Sequence, residues 1–337
     1  MSEYFRPIAQ IDSARPQDAY PLAGGACWFQ HVERIERGGV HEIVPAREVP
    51  QSILGHLVSQ KPNICELSLD RPRLMGVLNV TPDSFSDGGL HHETAQGIER
   101  AKKLVAEGCD IVDIGGESTR PGAQKVDQYQ EFARVGPVIQ GIRELGLECP
   151  ISIDTRNSGT ARKALKSGAN FINDVSALQF DPDMAGLVAR SDVPLCLMHM
   201  RGQPENMQDA PSYGDVLLDV FDDLNARLQE AEASGIARHN IIVDPGIGFG
   251  KTLEHNLILL RGLSLFHGLG CAVLLGVSRK RFIGTLTGVE DASLRGPGSV
   301  AVGLEGLRQG VQILRVHDMA MHGQAIALWR AMQGRMD

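Results

Sequence analysis

PISIDTRNSGTARKALKSGANFINDVS (150–176) is the stretch on which the fold turns. It opens on a short aliphatic run, PISIDT (150–155), and closes on a second, FINDVS (171–176). Between them Asn157 can start a helix and Gly168 can stop one. An Asn side chain accepts from the orphan N–H groups of a first turn, and glycine takes the left-handed backbone that ends a helix without a Cβ penalty. The unit therefore reads strand, helix, strand. The same unit recurs outward in both directions. Upstream lie LMGVLNV (74–80) and DIVDIGG (110–116); downstream lie PLCLMHM (194–200), IIVDPG (241–246), AVLLGVS (272–278) and ILRVHD (313–318). Each run is almost continuously apolar, as a parallel strand covered on both faces must be. Helical stripes fill the gaps: Ile98, Ala101, Leu104 and Val105 before Gly108, and Leu217, Val220, Phe221, Leu224 and Leu228 at spacings of three and four. Eight such units predict an α/β fold, a (β/α)8 barrel; count and length favour it over a doubly wound open sheet.

Residues 1–70 break this rhythm. A strand is expected within 25–37 and a short helix over 51–60. The segment reads as an N-terminal extension packed on the barrel, with residues 71–337 as the catalytic domain. Composition sets the outer bounds. The chain has 337 residues, 42% hydrophobic and 22% charged, which excludes a disordered chain. No apolar run approaches the length of a membrane-spanning helix. The first residues lack a signal-peptide core, so a cytoplasmic location is expected. The formal net charge of −8 argues against a nucleic-acid partner but leaves room for a local basic pocket. The six cysteines form no CxxC pair and read as free thiols in a reducing compartment.

Barrel chemistry gathers at the C-terminal ends of strands. Here those ends carry Asn79, Asp83 and Asp87; Asp113, Glu117, Thr119 and Arg120; Asp154 and Arg156; Asn173 and Asp174; His199 and Arg201; Asp244 and Lys251; Ser278, Arg279 and Lys280; and Arg315, His317 and Asp318. An aspartate after one strand is often only a helix cap. Eight strands ending this way point to a site. Carboxylates and amides dominate the middle strands (Asp154, Asn173, Asp244), and cations dominate the last two (Lys280, Arg315, His317). The first group suits a flat ring with N–H donors; the second suits a phosphate or diphosphate.

Several motifs carry less. DPGIGFGKT (244–252) is not a phosphate-binding loop of the GxxxxGK[ST] kind, because Pro245 stands where glycine is required. There is no HExxH and no close Cys/His quartet, so a zinc site is not expected. GESTR (116–120) lacks the nucleophile-elbow pattern of a hydrolase serine. His199 reads as a hydrogen-bonded core residue rather than a base, and Asp113 and Asp174 as structural carboxylates. Glu117 is open.

Taken together, MGVLNVTPDSFSDGG (75–89), DIGGESTRPGA (113–123), SIDT (152–155), FINDVSA (171–177), LMHMRGQPENMQ (197–208), DPGIGFGK (244–251), SRKRF (278–282) and RVHD (315–318) resemble the dihydropteroate synthase family, in the family's order, over about residues 72–335. The resemblance implies condensation of (7,8-dihydropterin-6-yl)methyl diphosphate with 4-aminobenzoate, giving 7,8-dihydropteroate and diphosphate in folate synthesis. It implies a sulfonamide-target transferase that uses Mg2+ and forms a homodimer. Asp154, Asn173, Asp244 and Lys280 are similar to the family's pterin-binding set, Asn79 to its magnesium contact, and Arg315 and His317 to its diphosphate clamp. Thr119, Arg120, Pro121, Phe85 and Asp87 lie on two loops that resemble those closing over aminobenzoate, and Phe249 resembles a wall of that pocket. Lys280, Arg315, His317, Asp87 and Asp154 are the expected catalytic residues. Arg281 departs from relatives that carry serine there. A pterin-dependent methyltransferase shares the barrel but handles no diphosphate, which the three cations at the closing strands disfavour. A non-catalytic paralogue would show eroded loops, and none is eroded here.

Overall fold

The structure, a computed structural model, describes residues 3–81, 89–118, 126–202 and 206–335. The chain begins with β1 (Glu3–Pro7), β2 (Tyr20–Pro21), β3 (Trp28–Phe29), β4 (His31–Glu36) and β5 (His41–Pro45), followed by helix α1 (Gln51–Val58). β4 is the centre of a three-stranded antiparallel sheet, with β1 and β5 on either side. The strand expected within 25–37 is thus real but split, and β1, its partner, comes from far upstream.

Eight strands follow: β6 (Arg73–Asn79), β7 (Ile111–Gly115), β8 (Ile151–Asp154), β9 (Phe171–Asp174), β10 (Leu195–Met198), β11 (Ile241–Asp244), β12 (Ala272–Leu275) and β13 (Ile313–Val316). They pair in parallel in chain order. β13 returns onto β6, with Arg315 opposite Met75 and Val316 opposite Gly76, and closes the barrel. Helices α2 (Gly89–Ala106), α3 (Gln128–Glu144), α4 (Ser158–Lys166), α5 (Met184–Ser191), α6 (Val216–Ala233), α7 (Leu253–Arg261), α8 (Arg281–Thr287), α9 (Gly296–Arg308) and α10 (Met319–Ala331) surround it. The chain folds as a (β/α)8 barrel. Asp215 accepts from the N–H groups of Leu217 and Leu218 at the head of α6 and Thr252 caps α7, whereas Asn157 stands at the head of α4 without a side-chain cap bond and donates to Glu131 at 2.8 Å instead.

Both strand faces are apolar, but they serve different cores. Val112, Ile114, Ile151, Ile153, Ile172, Leu197, Val243 and Val316 pack outward against the helices. Met75, Ile111, Phe171, Cys196, Ile242, Leu274 and Ile313 fill the lower barrel, where Ile64 and Leu69 plug the N-terminal end. The alternation of strand side chains then puts a different set of inward residues at the other end.

The N-terminal sheet lies on the barrel flank rather than at its mouth. Tyr4 donates to Asp222 of α6 at 2.8 Å, and Arg37 pairs with Asp219 and Asp222 at 2.6 and 2.7 Å. Ser264 donates to the Pro7 carbonyl at 2.7 Å. A cavity of about 350 Å³ opens at the opposite end, beside His56, Arg238 and Cys271, but there the Arg238 charge is already paired with Glu232 at 2.7 Å.

Candidate active site at the barrel mouth

Counting by two up each strand brings polar side chains inward at the C-terminal end. Ile111 is followed by Asp113, Ser152 by Asp154, Phe171 by Asn173, Ile242 by Asp244 and Ile313 by Arg315. Arg315 joins them. Its Nε donates to Asp113 at 2.7 Å and its Nη2 to Asp154 at 2.7 Å. Asn173 Nδ2 lies 3.4 Å from the same Asp113 carboxylate. One guanidinium thus ties strands β7, β8 and β13 across the barrel axis, and Asp113 connects it to β9.

Asp154 is buried, and its Oδ1 is a buried oxygen without a hydrogen-bond partner among the described residues. Burial pushes its carboxyl up to about 7; the Arg315 charge works against this and the Asp113 charge adds to it. Burial alone would pull Arg315 down, but Asp113 and Asp154 outweigh it and hold the guanidinium above its usual range.

Asp244 stands on the far wall. Its Oδ1 accepts from the Gly246 N–H at 2.7 Å, and burial raises its carboxyl against the pull of that bond and of Lys280, Lys251 and Arg315. The Lys280 ammonium sits 4.1 Å from the centre of the Phe249 ring. Burial lowers it to about 8, with Asp244 opposing. Lys280 is aimed by a strained turn: Arg279 has φ 58°, a left-handed backbone rare for its residue type, and is held there by ion pairing to Asp318 and by Ser299, which accepts its N–H at 2.8 Å. His317 Nδ1 lies 3.0 Å from the Ser278 hydroxyl, so the two closing strands are stitched together beside Lys280.

The pterin binding enzyme family model matches residues 75–317. A dihydropteroate synthase from Neisseria meningitidis serogroup C is 47% identical over 270 residues, covering 79% of this chain and 95% of the relative. The chain belongs to the dihydropteroate synthase family. The family's members are transferases of folate synthesis, and so is this chain. Among solved structures, the Xanthomonas albilineans dihydropteroate synthase with 4-aminobenzoic acid superposes with a TM-score of 0.75 at 46% identity, covering 79% of this chain and 95% of that one. The same enzyme in complex with 7,8-dihydropteroate gives 0.72 at 42%, with the same coverage.

Against the family pattern, Asp154, Asn173, Asp244, Lys280, Arg315, His317 and Phe249 all fall at one mouth. Arg315 is not a lone cation at a rim; it is bound inside the carboxylate slot. Phe85, Asp87, Thr119, Arg120 and Pro121 lie outside the described residues. Asp174, next to Asn173 but facing outward, accepts from the N–H groups of Ser176 and Leu178 at 2.8 Å each and so shapes the turn after β9. Glu117 pairs with buried Arg156 at 3.0 Å and accepts from the Val126 N–H. Arg281 is exposed at the start of α8.

The described residues of this mouth fit magnesium as a ligand-borne ion. Among the described residues no cluster of three His, Cys, Asp or Glu side chains can hold a metal. Asn79 Oδ1 and the Asp154 carboxyl both face the open side of Gly115, at 3.7 and 3.8 Å from where a Cβ would lie. One neutral oxygen beside an unpartnered carboxylate oxygen suits a hard cation that arrives with its own phosphate oxygens.

The sequence reading did not single out the partnership of Lys251 with His199. Lys251 is buried beneath residues 246–249, its Nζ 2.9 Å from His199 Nδ1. Burial lowers Lys251 to about 7 and His199 to about 4, the latter with the Lys251 charge adding to it. The available signal was the glycine at every second position. Gly246, Gly248 and Gly250 all have positive φ, and a Cβ at Gly246 would come within 1.9 Å of the His199 carbonyl.

Proposed function

We propose that this mouth joins the methylene of (7,8-dihydropterin-6-yl)methyl diphosphate to the amine of 4-aminobenzoate. One observation carries the residue roles: Arg315 binds Asp154 of the ring slot, and Asp113 beside it, while standing on the strand that leads to His317 and pairs with the strand before Lys280. The ring and its leaving group are thereby recognised by one connected set of side chains. Asp244 accepts from the ring N3–H and 2-amino group, and Asn173 and Lys280 serve the remaining edge. Arg315 and His317 receive the diphosphate, with Asn79 as the protein's contact to Mg2+. When bound, the ion neutralises charge on the leaving diphosphate.

The C–O bond to diphosphate breaks, and the ring delocalises the methylene cation. The amine nitrogen forms the new C–N bond and one amine proton leaves to water. Asp154 favours the cation by charge. The aromatic amine is neutral at pH 7, so no obligatory general base is assigned. The loops carrying Phe85, Asp87, Thr119, Arg120 and Pro121 exclude water that would hydrolyse the cation.

Residues 1–70 are read as an appendage to this catalytic unit. Free, mostly buried cysteines support a cytoplasmic setting. Exposed Leu286, Met321 and Leu328, on the helices after the last two strands, support a homodimer; sedimentation as a 36.5 kDa monomer at micromolar concentration would overturn that reading.

The test is release of diphosphate and formation of dihydropteroate from the two substrates with Mg2+. Lys280→Ala is expected to lose more than about tenfold in rate while staying folded, since a charge-assisted contact contributes about 1.5–3 kcal/mol. Absence of product with both substrates bound would sink the proposal.

A further inference from the structure

We propose that Lys251, His199 and Asp223 are a positioning relay for 4-aminobenzoate, holding the loop that carries Phe249 against the mouth. The inference rests on the function above and assigns these three residues no contact with substrate.

The geometry is that of a cation built into a loop. Lys251 is 3% exposed. Its Nζ has four acceptors: His199 Nδ1 at 2.9 Å, the Gly246 carbonyl at 2.9 Å, the Phe249 carbonyl at 3.0 Å and the His199 carbonyl at 3.3 Å. Three N–H donors are fully used by such a set. Two of the acceptors belong to the loop after β11, and two belong to the segment after β10, so one side chain fastens two neighbouring loops.

His199 can accept from Lys251 at Nδ1 only if its hydrogen sits on Nε2. That nitrogen lies 3.2 Å from the Asp223 carboxylate, which fixes the tautomer. Asp223 stands on α6 with its side chain 56% exposed, so the relay runs from the surface to the loop. The hydrogen bond from His199 holds the Asp223 carboxyl below its usual range.

The tether does not grip both halves of the site equally. Asp244 is fixed by strand pairing to Met198, and its carbonyl accepts the His199 N–H at 2.9 Å. Phe249 sits between Gly248 and Gly250, two of the three positive-φ glycines, where the backbone has little rigidity of its own. Tyr213 holds the Gly250 carbonyl and Gln208 the Gly248 carbonyl, each at 2.8 Å, but Lys251 alone among these side chains reaches the Phe249 carbonyl. Loosening the tether therefore moves the aromatic wall more than the ring slot.

The experiment compares Lys251→Met and Asp223→Ala with the wild type in steady-state kinetics, varying each substrate in turn. Lys251→Met is expected to raise KM for 4-aminobenzoate about fivefold or more, with KM for the pterin diphosphate within about twofold; Asp223→Ala shifts the first in the same direction by about twofold. Amide exchange over residues 246–250 should quicken in both. A merely structural lysine would lower the fraction of active enzyme and leave both KM values alone; that result overturns the relay. If Lys251→Met does not fold, Asp223→Ala decides, because its side chain is half in solvent. Unchanged KM and unchanged exchange in Asp223→Ala reject the proposal. A wild type that makes no product rejects the function instead, and exchange still judges the relay.

Discussion

The two ends of the barrel are built from the same eight strands and follow opposite rules. At the N-terminal end, Met75, Ile111, Phe171, Ile242 and Ile313 meet Ile64 and Leu69, all buried, and the small Ser152 hydroxyl is the polar group that shares their inward layer. At the other end the next inward residues include Asp113, Asp154, Asn173, Asp244 and Arg315, also buried or nearly so. Burying apolar surface stabilises by about 25 cal/mol per Å². Burying charge costs several kcal/mol per ion unless partners are excellent. The bottom therefore supplies stability that the mouth consumes. A site for a flat, nitrogen-rich ring needs dry carboxylates, and only a well-plugged barrel can hold them.

The largest test of this contrast is Arg315→Met. It removes the one cation bound by both Asp113 and Asp154, each at 2.7 Å. Leaving buried charge unpaired costs about 3–5 kcal/mol. Denaturant unfolding should show that loss, and initial rates should fall more than about tenfold as a charge-assisted contact disappears. An unchanged unfolding midpoint would mean that the mouth carries no strain of this kind.

Phe171→Ala probes the other end. The ring is fully buried two positions below Asn173 on the same strand. Its loss should cost about 3–5 kcal/mol through transfer and cavity terms. Well below the melting temperature, the kinetic constants of the folded enzyme should match the wild type. A changed KM for the pterin diphosphate would show that the ends are mechanically coupled and would break the comparison.

How much of this was legible follows from the same physics. Strand positions were readable because parallel strands are apolar on both faces. That same continuity conceals which residues point inward, so Asp113 and Asp174 looked alike. One faces Arg315 and the other caps its own turn. The ion partners of Arg315 lie 202 and 161 residues away, and nothing local marks them. Lys251 and His199 are 52 residues apart and meet only because consecutive strands lie side by side. The N-terminal sheet was half visible: residues 25–37 alternate in part, but β1 is five residues long and its partner β4 is no hairpin neighbour, so nothing local pairs the two.

The smallest effect is the most discriminating, because its sign is at stake. Asp154 has its carboxyl raised to about 7 from the ordinary 3.8, mainly by burial. Between those values the folded protein holds a proton that the unfolded chain has lost. Stability from this residue therefore falls as pH rises from about 4 to about 7, and the full penalty stands above 7. Asp154→Asn removes the charge, while its amide oxygen can still accept from Arg315, which keeps Asp113 as its second partner. The variant should melt higher than wild type at pH 8, by about 1–2 °C for each kcal/mol recovered, and the difference should vanish near pH 4. Activity should fall at both pH values, because the developing cation loses its neighbouring charge. If the variant melts lower at pH 8, the attraction between Arg315 and Asp154 exceeds the desolvation of the carboxylate. The mouth would then stabilise the fold as the bottom does, and the opposition between the two ends would be wrong.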